Sequence, residues 1–221
     1  MKSSLLLSLL LAVLFSFSSH EAIPIAIIEL DEMNIVYKHL ENTISISVPT
    51  VPRNQVFVQC EGGYLFSKGA GQYILKPSSG STKIGIKVSV KQEGIMRLVG
   101  SKFYRVRQLP TPIPQLGGLP NNGLPQAKAA VLAQSTLLSS YGPGFPYNMQ
   151  SRVSAFEASI CKEDTMIHFA GEGSKLTKEI RSHIASLESG DILLFHHIKG
   201  YETKTIDTIN YNLPPIVIPI R

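Results

Sequence analysis

Apolar and polar side chains alternate with a period of two through much of the first half of the chain. Apolar residues occupy every second position in three segments: Ile44, Ile46 and Val48; Val56, Val58 and Cys60; and Ile84, Ile86, Val88 and Val90. This period is typical of strands with one buried and one solvated face. Proline or glycine turns separate such strands at intervals of roughly eight to twelve residues, as in sandwich folds. We predict that residues 22–109 form an Ig-like β-sandwich.

The next segment, residues 110–125, is rich in proline and glycine. It contains Pro110, Pro112, Pro114, Pro120 and Pro125 together with three glycines. Proline lacks the backbone N–H that helices and central strands require, and it keeps a chain semi-extended. We therefore predict a linker that spaces two domains.

Residues 126–221 combine helical and strand periods. Good helix formers fill residues 126–141, and Thr177 is a suitable N-cap for a second helix that Gly190 would end. That second helix has an apolar stripe formed by Leu176, Ile180, Ile184 and Leu187. Strands are predicted at residues 153–161, 166–170, 192–198, 204–209 and 216–220. Because Pro219 cannot donate to a ladder, the last strand should lie at a sheet edge. We predict a small α+β domain in a protein that is mostly β.

Residues 1–19 have the pattern of a cleavable signal peptide. Lys2 is followed by an apolar stretch and then by small residues at positions 16 and 18. The stretch is shorter than the ~20 residues that span a bilayer. We expect an exported, periplasmic protein without a membrane span in the mature chain. Cys60 and Cys161 could pair there, but they belong to separate predicted cores, so two unpaired thiols are expected.

The charge of the chain does not indicate a polyanion partner. Lys and Arg number 21 against 16 Asp and Glu, a formal net charge of +5. The basic residues are scattered rather than clustered, which favours an ordinary solvated surface over a nucleic-acid or polybasic lipid site.

The chemistry-bearing residues form no recognised motif. His196 and His197 are adjacent on a predicted strand, so alternation would place them on opposite faces and prevent both from binding one ion. His168 and His183 are isolated on other elements, and HExxH and Cys-x-x-Cys spacings are missing from the sequence. We predict no catalytic, cofactor-binding or metal-binding residues. A pocket gathering His168, His196 and a carboxylate would instead support a secreted hydrolase or metal enzyme.

Two features favour recognition of another protein. The predicted edge strand at residues 216–220 could add to a partner's sheet. Phe103, beside Arg105 and Arg107 on the polar face of its strand, is a candidate exposed aromatic residue. The alternative is that Phe103 packs on the linker or on the other domain.

Several of these segments resemble GldM, the rod-shaped periplasmic protein of the Bacteroidetes gliding and type IX secretion machinery. The MNIVY segment (33–37) and the ISISVP segment (44–49), with Val51-Pro52 after it, resemble the third periplasmic domain. The turn at residues 40–43 departs from that pattern, since the family usually has a glycine and Asp-Asn-Pro there. Leu176-Thr177-x-Glu179, Ser189-Gly190-Asp191 and Leu213-Pro214-Pro215-Ile216 resemble the C-terminal domain.

The resemblance implies a non-enzymatic structural or adaptor protein. In this family the last domains contact the ring at the outer membrane, and the rod is dimeric. We expect the chain to bind a protein component of the type IX secretion or gliding machinery, and a homodimer is also compatible. A stand-alone exported adhesion or carbohydrate-binding module is the alternative, because sandwich domains host many such functions. A groove of exposed aromatic side chains would favour that alternative.

Overall fold

The computed structural model describes residues 24–30, 34–149, 151–203 and 205–221. Strands of the first half are β1 (Ile27–Leu30), β2 (Ile35–Tyr37), β3 (Asn42–Ser47), β4 (Val56–Glu61), β5 (Gly63–Gly69), β6 (Gln72–Pro77), β7 (Lys83–Gln92) and β8 (Ile95–Arg107), with a 3-10 turn at Arg53–Gln55. The second half contains β9 (Ile113–Leu116), α1 (Lys128–Leu132), β10 (Leu137–Ser140), β11 (Ser151–Lys162), β12 (Thr165–Glu172), α2 (Lys178–Ala185), β13 (Ile192–Glu202), β14 (Ile209–Asn212) and β15 (Ile216–Pro219). The described part of the protein is mostly β, as predicted. The predicted signal peptide, residues 1–19, lies outside the described residues.

Two four-stranded sheets form a sandwich in the first half. Their strand orders are β1-β3-β6-β5 and β2-β8-β7-β4, with β2 and β8 parallel. The inward positions of the predicted alternation are buried between the sheets, including Ile44, Ile84 and Ile86. Tyr104 and Val106 share this buried face, as their spacing predicts. The N-terminal sandwich is therefore built as the period of two indicates.

The second half is organised around one antiparallel sheet. Its order is β12-β11-β13, and both β14 and β15 pair with the remaining edge of β13. Helix α2 packs on one face of this sheet, and its predicted stripe is buried: Leu176, Ile180, Ile184 and Leu187. Thr177 caps the helix, since its hydroxyl oxygen accepts the N–H of Ile180 at 3.2 Å. The opposite face of the sheet carries no helix among the described residues.

Two secondary-structure predictions for residues 110–141 are wrong. The segment predicted to be a linker contains β9, which pairs with β10, and Leu116 is fully buried in the second core. Proline is tolerated there because β9 is an edge strand of a two-stranded sheet. The predicted helix at 126–141 ends at Leu132, because Leu137 is buried against Leu116 in β10 instead. Burial thus overrides helix propensity.

The end of α2 and the last predicted loop also differ from expectation. The helix ends at Ala185 with Ser186 as its C-cap, so Gly190, at φ +101°, lies beyond it. Ser186 and Leu187 donate to carbonyls within the last turn, which closes the helix earlier than the glycine would. The strand predicted at residues 204–209 is found at Ile209–Asn212, and residue 204 lies outside the described residues.

Aromatic side chains join the two halves, whose hydrophobic cores are separate. We define the aromatic junction as Tyr37 of the sandwich with Tyr141, Phe145 and Tyr147, which follow β10. The ring centroid of Phe145 lies 5.4 Å from that of Tyr37 and 4.7 Å from that of Tyr141. The Tyr147 hydroxyl donates to Asn42 Oδ1 of the sandwich at 3.2 Å. The contact between the halves is therefore a packed aromatic one and not the covalent connection alone.

Candidate partner-binding face and histidine cluster

The outward side of the sheet formed by β2, β8, β7 and β4 combines exposed apolar and basic side chains. Register places Phe57 and Leu98 on either side of Ser89, and Met96 beside Lys91. Leu98 is 60% exposed and Phe103 is 52% exposed. We call this surface the basic–apolar face. It displays the following residues: Phe57, Met96, Leu98, Phe103, Lys83, Lys87, Lys91, Arg105 and Arg107.

Phe103 is the ordered centre of this face. Its ring lies over Gly85, whose lack of a side chain leaves room for it, because an added Cβ would come 3.0 Å from the ring. The ammonium of Lys83 lies 3.9 Å from the ring centroid, a cation–π contact. Phe103 is exposed, as one sequence interpretation proposed, and its ring contacts Lys83 and Gly85 of the sandwich.

The charge of the basic–apolar face is strongly one-sided. Among the described residues, its outward side chains include five Lys and Arg residues, those of Lys83, Lys87, Lys91, Arg105 and Arg107, and one acidic residue, Glu61. Glu61 pairs with Lys87, which leaves the remaining cations of the outward face to solvent or to a partner. Such a face fits an acidic surface with apolar side chains at its centre.

The predicted edge strand is less available than the sequence suggests. β15 lies at the sheet edge, as predicted, but the N–H of Gln126 donates to the carbonyl of Pro219 at 2.8 Å. The N–H of Arg221 donates in turn to the carbonyl of Gln126 at 3.0 Å. The C-terminal end of this edge is thus already paired within the chain.

A β-bulge brings together the two histidines that alternation was expected to separate. The pairing of β11 with β13 shifts register between Ala155 and Glu157, and His197 adopts φ +47°. The extra residue in β13 interrupts the alternation, so both imidazoles lie on the outer, helix-free side of the sheet. Their Nδ1 atoms are 3.1 Å apart. The prediction that His196 and His197 occupy opposite faces is therefore wrong.

The same side of the sheet carries a carboxylate, a hydroxyl and a third histidine. Glu157 Oε2 lies 3.0 Å from His197 Nδ1 and 3.5 Å from His196 Nδ1. Ser159 Oγ lies 2.8 Å from His196 Nε2 and 2.9 Å from His168 Nδ1. We call these five residues the histidine cluster. The hydrogen bond from the His197 ring is the main cause that keeps the pKa of Glu157 below its ordinary value, with smaller contributions from the charges of the neighbouring histidines.

The order serine–histidine–carboxylate in the histidine cluster is formally that of a hydrolase triad. Ser159 is only 1% exposed, however, and both histidine nitrogens that it contacts belong to the same cluster. A nucleophile must reach a substrate carbonyl, and a buried hydroxyl between two imidazoles does not. Among the described residues this arrangement therefore suits the orientation of imidazoles better than acyl transfer.

The two cysteines lie in separate halves and are unpaired in the structure. Cys60 is half-buried against the sandwich core, and this burial is the main cause that raises the pKa of its thiol. Cys161 lies near the end of β11. Neither thiol is part of the histidine cluster.

Comparison with known families identifies the first half of the chain. Residues 25–107 match the family model described as the GldM third domain, which covers β1 to β8 and less than half of the 221 residues. A search of curated proteins found no match. The GldM domain is of a structural, non-catalytic type, and its family is associated with the cell envelope and with gliding and type IX secretion. In the described residues, no helix has the length and apolar character to cross a membrane. Through its sandwich, this chain is similar to the C-terminal region of the gliding motility protein GldM.

Proposed function

We propose that the protein is a non-enzymatic structural or adaptor protein of the periplasm that binds a component of the type IX secretion or gliding machinery. The observation that carries this proposal is the basic–apolar face, which lies on the domain that matches GldM. The bound component is, by resemblance, a protein of the outer-membrane-side secretion ring. The periplasmic location is part of the proposal, and the envelope association of the family supports it.

A protein is the partner that this face fits best. Apolar side chains that remain exposed together and are surrounded by charged ones are typical of protein–protein interfaces. The face is an open sheet surface on which Phe103, Leu98 and Phe57 stand in neighbouring rows. Aromatic residues beside basic ones are frequent energetic centres of such interfaces. The excess of Lys and Arg would speed association with an acidic partner.

The proposal can be tested by affinity capture from detergent-solubilised outer-membrane fractions of a type IX-secreting cell. The wild-type chain should retain a secretion-ring component, and the double variant Leu98→Ala/Phe103→Ala should retain at least ~10-fold less. The matched control is Tyr64→Ala/Phe66→Ala on the other sheet, because those side chains are 61% and 50% exposed. Exposed substitutions of this kind change stability by roughly 0.5 kcal/mol or less.

Two results would contradict the proposal. If the wild-type chain recovers no ring component, the proposed partner is wrong. Equal recovery by the two double variants would show that the basic–apolar face is not the contact surface. The ionic-strength dependence gives a further check, since binding that depends on Lys and Arg should weaken between ~0.1 and ~1 M salt, where the Debye length falls from about 10 Å to about 3 Å.

A further inference from the structure

Three metal-ligating atoms converge on the outer side of the C-terminal sheet. The separations are 3.1 Å between the Nδ1 atoms of His196 and His197, 3.0 Å from His197 Nδ1 to Glu157 Oε2, and 3.5 Å from His196 Nδ1 to Glu157 Oε2. Atoms bound to one tetrahedral metal ion at ~2.05 Å lie about 3.3 Å apart. The observed triangle has nearly this size.

The three separations also match the bond lengths of an ion placed just outside the plane of the triangle. A point displaced roughly 0.9 Å from the plane lies about 2.05 Å from all three atoms, which is the usual bond length of Zn²⁺ to imidazole nitrogen and carboxylate oxygen. No backbone movement is required by these distances. Two imidazoles and one carboxylate form a ligand set that suits zinc and its neighbours among divalent transition metals.

When both Nδ1 atoms are unprotonated, all three atoms present lone pairs to one cation. Each ring nitrogen is an acceptor unless it carries a proton, and an ionised carboxylate is an acceptor only. A single proton on His197 Nδ1 satisfies Glu157 but leaves the lone pair of His196 Nδ1 facing the same point. A divalent ion interacts favourably with all three lone pairs at once.

Ser159 and His168 can set the required tautomer of His196. The His196 ring binds metal through Nδ1 only if its proton is on Nε2, and Nε2 lies 2.8 Å from Ser159 Oγ. Nε2–H can then donate to Ser159, whose hydroxyl donates to His168 Nδ1 at 2.9 Å. In this chain Ser159 Oγ accepts one hydrogen bond and donates one. Outer hydrogen bonds of this kind orient metal-binding histidines and raise their basicity.

The site is accessible because two of its three side chains face solvent. The side chain of His197 is 73% exposed and that of Glu157 is 51% exposed, whereas that of His196 is 22% exposed. A bound ion would therefore keep a coordination position for water, as three-ligand zinc sites do. The ring of His196, the least exposed of the three, is held by Ser159. The side chains of Glu157 and His197 can close on the ion.

We propose that Glu157, His196 and His197 bind one divalent transition-metal ion, with Zn²⁺ as the best-fitting member of the class. This inference is independent of the proposed partner, because the histidine cluster lies in the C-terminal half and the basic–apolar face in the sandwich. Ser159 is a positioning residue for the His196 ring.

Isothermal titration of the metal-free, full-length chain without a polyhistidine tag tests the site with ZnCl₂ as the probe. We expect one Zn²⁺ per chain, and binding at least ~10-fold weaker in Glu157→Gln and in His197→Ala. The control is His183→Ala, since this half-buried histidine is on α2, which packs on the opposite face of the sheet. That variant should bind as the wild type does.

Two further measurements separate coordination from adventitious surface binding. Co²⁺ in the wild-type site should show the intense visible absorption of a four-coordinate ion, and this band should disappear in His197→Ala. Ser159→Ala should weaken Zn²⁺ binding about 10–100-fold without changing the stoichiometry. The proposal is wrong if the wild-type chain shows no saturable Zn²⁺ binding, or if Glu157→Gln and His197→Ala bind as His183→Ala does. Far-UV circular dichroism confirms that each variant is folded.

Discussion

Asn42 at the start of β3 is buried and satisfies several backbone groups at once. The N–H of Tyr37 donates to its Oδ1 at 2.9 Å. Its Nδ2 donates to the carbonyls of Tyr37 at 2.9 Å, Leu40 at 3.0 Å and Leu75 at 3.2 Å. One side chain therefore closes the turn between β2 and β3 and links it to β6. We expect Asn42→Ala to destabilise the sandwich strongly.

The size of this effect follows from the groups that alanine would leave without their partner. A buried donor or acceptor that loses its hydrogen bond costs about 1–3 kcal/mol. The amide of Tyr37 and at least one of the three carbonyls lose a partner that alanine cannot replace. We therefore expect a loss of about 2–6 kcal/mol, a large fraction of the 5–15 kcal/mol that is typical of a whole domain.

Urea denaturation followed by far-UV circular dichroism measures this loss, since the chain contains no tryptophan. The midpoint should fall while the urea dependence stays constant, because the surface exposed on unfolding is unchanged. The control is Asn54→Ala, an exposed asparagine in the 3-10 turn, which should change stability by less than about 0.5 kcal/mol. If Asn42→Ala costs less than about 1 kcal/mol, the assignment of Asn42 as a buried hydrogen-bonding centre is wrong.

Two other substitutions test packing and buried polarity. Gly171→Ala should destabilise the C-terminal half by about 1–3 kcal/mol in thermal denaturation, because the added Cβ would come within 2.3 Å of the Phe156 ring. An unchanged stability would show that the ring moves aside freely. Tyr104→Phe should not lower stability at pH 7, because its hydroxyl is buried without a hydrogen-bond partner among the described residues. Burial raises the pKa of Tyr104 to about 12 from an ordinary 10.0. Because only the unfolded state then ionises between pH 10 and pH 12, the stability of the wild-type protein should fall over that range. The fall should be smaller in Tyr104→Phe.

The parts of the fold that the sequence predicts well are those in which one local pattern decides the structure. Ile84, Ile86, Val88 and Val90 are all fully buried because strict alternation allows only one side of β7 to face the other sheet. Thr177 caps α2 because its hydroxyl oxygen, just before the first helical residue, accepts the N–H of Ile180. In both cases the tertiary environment and the local preference agree.

The parts that sequence patterns miss depend on contacts made elsewhere in the chain. Prolines at 112 and 114 indicate a linker, but Leu116 has a partner in Leu137 that only the folded second core provides. The buried function of Asn42 is equally hidden, since its partners include a carbonyl 33 residues away. The composition of a segment does not reveal whether a distant strand will pair with it.

The burial of β13 shows the bulge at His197, whereas the sequence does not, since residues 192–195 are all apolar. Leu193 and Phe195 are buried at alternate positions, but the next buried residue is Ile198, three positions further on. A change of phase in an apolar alternation indicates an extra residue in one strand. Because this phase exists only in the folded strand, the sequence alone could not assign both histidines to one side of the sheet.

The β-bulge at His197 connects the backbone of β13 to the proposed metal site. A non-glycine residue at φ +47° is uncommon, and a bulge leaves part of the ladder unpaired, so both features cost stability. A regular β13 would avoid that cost and would place His196 and His197 on opposite sides of the sheet. Because the bulge is the feature that brings the two imidazoles to Glu157, metal binding would compensate for it by stabilising the folded state. The backbone outlier and the ligand triangle are therefore two parts of one local arrangement, which a bound metal ion would hold in place.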